Sequence, residues 1–334
     1  MTNKKFPKIS VIIPNYNDVD TISLCLNAVL NSNYPNFEVI VVDDKSTDNS
    51  RNIIKKLNVN LILHKKNRHQ GAARNTGVKH ATGEILVFTD GDVCIKDNTL
   101  MKIANLFLKK NDITAIVGLP DKMCIYKNLS SIHFNRRVYF NYIKLPDYIN
   151  ILYGTISAVK KDAFIKIGGF NEYITGVEDN EIGYRLVNAG HKIYHSKKIS
   201  VIHYKEINLF ELFKNDFKRT VDRVKLLLGR KMIKNVILEK RFITSPLYQL
   251  LSPFLSFLFF CFLFGTIFYK SLILLSFFFL IIFIFTNLEY IMFNFKEENL
   301  TFSIKLIFLL LIDMLIVFFA LVWGTLIYFK GEKY

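Results

Sequence analysis

Phe88-Thr89-Asp90-Gly91-Asp92-Val93 joins the end of an apolar run to a pair of closely spaced carboxylates. The apolar run that leads into it, Ile85-Leu86-Val87-Phe88, has the character of a strand buried on both faces. It ends in two carboxylates separated by one small residue, and open α/β sheets bind their ligands at such strand ends. Two Asp side chains flanking a glycine can turn toward one point, and the glycine leaves room for a bulky polyanion near the backbone. A hard divalent cation held by one or two carboxylates takes its other ligands from water and phosphate oxygens. The alternative is a polar turn whose Asp residues cap the next helix. An EF-hand is excluded, because Cys94, Ile95 and Met101 stand where a ligand, the glycine and the terminal Glu are required.

Upstream, strands alternate with helices. Residues 8–13 read as a strand broken by Pro14-Asn15-Tyr16-Asn17, and a helix follows over 21–31 with Asp20 as its N-cap. A second strand over 37–42 runs into Asp43-Asp44-Lys45-Ser46-Thr47-Asp48, and a third covers 60–63. Gly71-Ala72-Ala73-Arg74-Asn75-Thr76-Gly77 then makes a helix of small residues that can pack close to the sheet. Downstream come a helix over 98–110, a strand over 113–118, a small β-prone stretch from Gly154 to Val159, and a helix that stops at Gly168-Gly169-Phe170. This alternation predicts a parallel sheet with right-handed crossovers. Residues 121–150, rich in Tyr, Asn and basic side chains, read as an insertion lining an acceptor groove.

The chain has neither G-x-G-x-x-G nor G-x-x-x-x-G-K-[ST], so a nucleotide at these turns needs a metal for its phosphates. An Asp can accept the imide N–H of a uracil ring, and Tyr16 offers a ring face. Asp43 and Asp44 equally suit an Asx turn, and Arg74 a solvated helix position. Gly176-Val177-Glu178-Asp179-Asn180-Glu181 opens a helix. Acids in a first turn are favoured by the helix dipole, which is one sufficient explanation. The other makes one of them a general base, with Arg185 fixing its orientation. His203, at the end of a strand, can cap a metal site or be a polar edge residue.

The 334 residues carry a formal net charge of +16, concentrated from Lys214 to Arg241 beside an apolar tail. That placement favours anionic lipid headgroups over nucleic acid, for which no base-stacking motif is visible. Four scattered cysteines, Cys25, Cys94, Cys124 and Cys261, point to a reducing compartment and to neither disulfides nor zinc. No signal peptide is expected, since the early apolar run is short and bounded by Pro14. Residues 206–244 read as basic amphipathic helices lying on a membrane surface, with the periodic pattern reaching about Leu238. Residues 245–334 read as three spans, about 247–268, 272–293 and 304–329, and the basic block would keep residues 1–205 in the cytosol. Asp313 lies inside the last span, where it serves either helix packing or substrate.

Taken together, Ser10-Val11-Ile12-Ile13-Pro14-Asn15-Tyr16-Asn17, Val42-Asp43-Asp44, Gly71-Ala72-Ala73-Arg74-Asn75, Asp90-Gly91-Asp92, Gly168-Gly169-Phe170 and Glu178-Asp179 resemble, in order and spacing, the family 2 glycosyltransferases. The resemblance implies a GT-A fold: an α/β, mixed but mostly parallel, Rossmann-like sheet with helices on both faces. It implies that Pro14 and Asp44 contact the nucleotide base, and that Asn15, Tyr16, Asp43, Arg74, Asn75, Asp90 and Gly154 belong to the nucleotide-sugar site. Asp90, Asp92 and His203 would hold Mn²⁺ or Mg²⁺. Asp179 would be the base of an inverting reaction, with Glu178 and Arg185 beside it. The processive signature Q-x-x-R-W is replaced by Asp216-Phe217-Lys218-Arg219-Thr220, which favours addition of one sugar. A UDP-sugar donor and a lipid-linked saccharide acceptor are the expected partners. The alternatives are a polyprenyl-phosphate glycosyltransferase, which as a group lacks the Glu-Asp motif, and an inactive membrane-anchored scaffold.

Overall fold

The computed structural model describes residues 6–230, 241–242 and 244–332. The chain divides into two compact units, one of Met1–Tyr126 with Tyr142–Lys205 and the other of Lys127–Asn141 with Glu206–Tyr334.

The first unit is built on a mixed sheet. β1 (Ile9–Asn15), β2 (Phe37–Asp43), β3 (Asn60–Leu63) and β4 (Ile85–Thr89) run parallel in the order β3-β2-β1-β4. The apolar runs in β1 and β4 are buried throughout, as strands covered on both faces require. Helices α1 (Ile22–Leu30), α2 (Ser50–Ile54) and α3 (His69–His80) connect these strands. The small residues of α3 allow close packing on the sheet: a Cβ at Gly77 would lie 2.5 Å from Ile12 Cγ2. Asp20 does not cap α1, whose N-cap is Thr21 and lacks a side-chain capping bond.

Beyond β4 the parallel alternation stops. The two-residue β5 (Val93–Cys94) pairs antiparallel with a distant strand, and α4 (Thr99–Lys109) leads to β6 (Ala115–Pro120). The excursion from β6 contains α5 (Leu129–Ile143) and β7 (Tyr148–Ile149) and returns as β8 (Ile156–Lys160). β8 lies antiparallel between β4 and β6, so the parallel alternation of the first strands gives way to the mixed, mostly parallel sheet that the resemblance implies. α6 (Lys161–Lys166), α7 (Glu178–Asn188) and β9 (Ile193–His203) complete the unit, with β9 parallel to β6 and antiparallel to β5 and β7. Because β1, β2 and β4 are parallel, Asn15, Asp43 and Asp90 emerge at one edge.

The second unit is helical. Most of α5, read from sequence as part of an acceptor groove, belongs here: Phe134 packs with Ile207, Leu212 and Leu309, and Phe140 with Phe283, Tyr290 and Leu310. α8 (Leu209–Gly229) starts with a reciprocal cap, Asn208 accepting from the Glu211 N–H and Glu211 from the Asn208 N–H. Its apolar face covers the last helix, where Gly324 lets Val221 and Val224 approach to 3.1 Å from its would-be Cβ. The expected continuation of this pattern through Lys231, Ile233, Lys234 and Leu238 to Lys240 lies outside the described residues.

Among the described residues two helices are long and apolar enough to cross a membrane, Leu247–Gly265 and Leu300–Phe329, or three segments if a bent pair counts as one. That pair is Leu272–Thr286 and Leu288–Phe295, bent by 70° where sequence suggested a continuous span over 272–293. The bend falls at Asn287, whose amide donates to Phe283 O at 2.9 Å and to Ser252 Oγ at 3.0 Å. An amide in an apolar run finds hydrogen-bond partners rather than facing hydrocarbon. Asp313 is likewise partnered inside the unit. Arg137 donates to it and to Asp216 Oδ2, the latter at 2.5 Å; His133 Nε2 lies 3.3 Å from Asp313, and Tyr290 OH 3.2 Å from His133 Nδ1.

Candidate active site

The strand ends are tied to one another before any substrate is considered. Asn15 Nδ2 donates to Asp43 Oδ2 at 2.8 Å across the β1–β2 register. Asp43 also accepts from the Ser46 N–H at 3.1 Å and from Arg51 Nε at 2.5 Å. The loop after β1 is fastened to the loop after β2: Asn17 accepts from the Thr47 N–H, and Asp48 from the Val19 N–H. Asn17 and Lys45 sit at positive φ, +58° and +66°, the tight turns this fastening requires. Asp44 accepts from the Arg68 N–H at 2.9 Å, and its Oδ1 lies 2.7 Å from His64 Nδ1.

Asn15, Asp43 and Asp44 are therefore buried parts of the loop framework, as the Asx-turn reading of the two acids allows. Pro14 is buried as well, whereas Tyr16 is about half exposed at 49%. Tyr16 is the expected nucleotide contact that the structure leaves most open.

Asp90 and Asp92 turn apart. Asp90 Oδ1 accepts from Arg74 Nη2 at 2.7 Å, while Asp92 Oδ1 lies 3.3 Å from His203 Nε2 and its Oδ2 3.4 Å from Lys205 Nζ. The β5–β9 pairing sets the second contact, because Val93 is the register partner of His203. Burial acts against ionisation of Asp92, but His203 and Lys205 hold its carboxyl well below the usual range. Of the three expected metal ligands the structure brings Asp92 and His203 together and engages Asp90 elsewhere. Among the described residues no group of three or more His, Cys, Asp or Glu side chains is arranged to hold a metal. A carboxylate and an imidazole side by side still suit a cation that completes its shell from phosphate and water. The space beside Gly91 is filled by a residue that sequence reasoning missed: a Cβ there would lie 2.6 Å from Asp18 Oδ2. Burial, together with Asp92, pushes the Asp18 carboxyl up to about 7.

Arg74 is fully buried, not solvated. Besides Asp90 it donates from Nη1 to Glu178 Oε1 at 2.9 Å, and its Cζ lies 5.5 Å from the Phe170 ring centre. Gly154 faces it so closely that a Cβ would be 2.6 Å from Nη2. Asn75 braces the glycine turn, donating to Phe170 O at 2.8 Å and accepting from the Phe170 N–H at 2.9 Å. Gly168 and Gly169 adopt φ of +83° and +70°, and Phe170 seats against Phe88 of β4 with ring centres 5.2 Å apart.

This bracing aims the start of α7. Asp179 accepts from the Asn180 N–H at 2.8 Å, and its Oδ2 lies 3.4 Å from Gly154 N. The residue as a whole is half-buried. Loss of most of its hydration and the charge of Glu178 push its carboxyl up to about 6, with Arg74 acting in the opposite sense. Arg185 is not brought to Asp179. It pairs with Glu181 at 2.8 Å and donates to Ile167 O and Gly169 O at 2.6 Å, so it secures the helix to the glycine turn.

A mostly parallel sheet carrying these acids at its strand ends, followed by apolar helices, is the GT-A architecture of glycosyl-transferring enzymes. Residues 10–168 match the model described as glycosyl transferase family 2, and residues 135–209 one described as the N-terminal domain of galactosyltransferase. The chain carries a family 2 glycosyl transferase domain. An uncharacterized glycosyltransferase of Nostoc sp. is 37% identical over 115 residues, 33% of this chain and 35% of its own length. The UDP-Glc:alpha-D-GlcNAc-diphosphoundecaprenol beta-1,3-glucosyltransferase of Escherichia coli is 34% identical over 114 residues, 33% of this chain and 44% of its own. The match thus spans under half the length of these curated relatives. The solved mannosyltransferase of Pyrobaculum calidifontis, in complex with GDP-Man and Mn²⁺, has the same fold, with a TM-score of 0.57, 22% identity and coverage of 69% of this chain and 65% of that one.

Proposed function

We propose that this chain is a membrane-anchored inverting glycosyltransferase that moves one sugar from a UDP-linked donor to a hydroxyl of a lipid-linked saccharide. Residues to about 205 form its catalytic part, 206–244 its linker and 245–334 its anchor, with the catalytic part at the cytosolic face. The observation that carries this reading is the place of Asp179 at the start of α7, next to Glu178 and with its Oδ2 3.4 Å from Gly154 N, where burial and Glu178 push its carboxyl up to about 6. A general base works best when its pKa lies near the operating pH. Asp179 takes the proton of the acceptor hydroxyl as that oxygen attacks the anomeric carbon. The bond from that carbon to the nucleoside diphosphate breaks on the opposite face, and the configuration inverts. Tyr16 offers a ring face to the base of the donor, and Asp92 with His203 would hold Mn²⁺ or Mg²⁺. When bound, such a cation supplies neutralisation of the charge that develops on the leaving diphosphate.

The apolar helices support an acceptor that resides in the membrane, as does the name of the Escherichia coli relative, a transferase acting on a diphosphoundecaprenol-linked sugar. The basic residues Lys214, Lys218 and Arg219, all exposed on α8, support contact with anionic headgroups. Calorimetric titration of the detergent-purified chain with UDP, GDP and CMP, with and without Mn²⁺, tests the reading. Metal-dependent binding of UDP, lost in Asp92→Ala, is expected. A folded sample that binds no nucleotide would leave the scaffold alternative as the better account.

A further inference from the structure

Arg74 is the largest fully buried side chain among the described residues, and four separate stretches meet on its guanidinium. Asp90 comes from the end of β4, Glu178 from the start of α7, Phe170 from the glycine turn and Gly154 from the approach to β8. Only 1% of Arg74 reaches solvent, so it has no surface to present to a nucleotide. What it has is a planar fork whose two Nη groups each serve a different carboxylate, and a rigid fork between two acids sets the distance between them.

We propose that Arg74 is a positioning residue, which locks the donor-side acid Asp90 and the helix start that carries Asp179 into one fixed arrangement. This rests on Asp179 being the general base. It replaces the nucleotide contact that the sequence resemblance implies for Arg74. Gly154 is part of the device, since any side chain there would displace the guanidinium. Glu178 contributes by anchoring the fork at the residue next to Asp179. The groups that face Asp179 are Glu178 from its own helix, Arg74 from α3, and the N–H groups of Gly154 and Asn180. Arg74 is the cation among them, and it favours the ionised base.

Arg74→Lys in the full-length detergent-solubilised chain is the test. An ammonium is a point charge that cannot bridge both carboxylates as the fork does. Small misplacement of a base costs about 100-fold in rate, so kcat is expected to fall by roughly that factor. Metal-dependent nucleotide affinity is expected to fall by much less than kcat, and the acid limb of the pH–rate profile to move to higher pH. A loss of affinity that matches the loss of kcat, with the acid limb in place, would make Arg74 a ligand contact and overturn the proposal. So would an unchanged kcat. If Arg74→Lys fails to fold, Gly154→Ala displaces the same group without removing its charge and is expected to give the same split, while a wild-type kcat in that variant overturns the claim. If the unmodified chain transfers no sugar, the proposed function falls on that result alone. The positioning claim is then decided by a double-mutant cycle in melting temperature between Arg74→Lys and Glu178→Gln, where additive losses would overturn it.

Discussion

A carboxyl that must accept a proton near neutrality cannot keep an ordinary aspartate's affinity for it, and Asp179 departs in the required direction. Its pKa is raised from 3.8 to about 6 by desolvation and by Glu178, against the pull of Arg74. The folded chain therefore binds this proton more tightly than the unfolded chain does, and the associated stability is lost as pH rises through about 6. Asp179→Asn removes the charged form. Melting curves of the two proteins are expected to coincide more closely at pH 5 than at pH 8, where the variant should be the more stable. The acids at 90, 92 and 179 and the histidine at 203 were legible because motif spacing places them at strand and helix ends. Their partners were not. Asp18 reaches Gly91 only because the loop after β1 folds back, and Arg185 has Glu181 one turn away as a stronger partner than Asp179. Side-chain direction depends on such neighbours, which one-dimensional spacing does not record.

At the scale of elements, the glycine turn before α7 and the clasp in the helical unit each tie several stretches together. Gly169 holds φ at +70°, and a Cβ there would lie 2.7 Å from Asn75 Oδ1. Gly169→Ala is expected to destabilise the chain by about 1–3 kcal/mol, through backbone strain and the lost brace, as a lowered melting temperature. The clasp joins Arg137 of α5 to Asp216 of α8 and to Asp313 of the last helix. Arg137→Met leaves both acids without their cation and is expected to cost about 3–5 kcal/mol, read as a melting temperature in detergent. Strands β1 to β4 and their helices were legible from apolar runs and turns, to within two or three residues. The reversal of β8 was not, because strand direction is set by where the excursion from β6 returns. α5 was equally hidden: its aromatic and basic residues are explained by partners far along the chain, such as Asp216 on α8 and Asp313 on the last helix. The bend at Asn287 was masked by the apolar residues on either side of it.

For the molecule as a whole, family similarity and anchoring occupy different parts of the chain. The two family models end at residues 168 and 209, before the apolar helices begin. The class of enzyme was legible because six short motifs fall in order along the first unit. The donor and acceptor were not, because these motifs recur whatever the sugar or acceptor and no further pattern in the sequence names either. The central claim is that this chain transfers a sugar with inversion, using Asp179 as base. Its most direct test compares the unmodified chain with Asp179→Asn in detergent, supplied with UDP-sugars, Mn²⁺ and lipid extract, scoring UDP release and the anomeric configuration of the product. An inverted product is expected, with kcat reduced by about 10²–10⁴-fold in Asp179→Asn and nucleotide affinity intact. A retained configuration, or a variant as active as the unmodified chain, would contradict it.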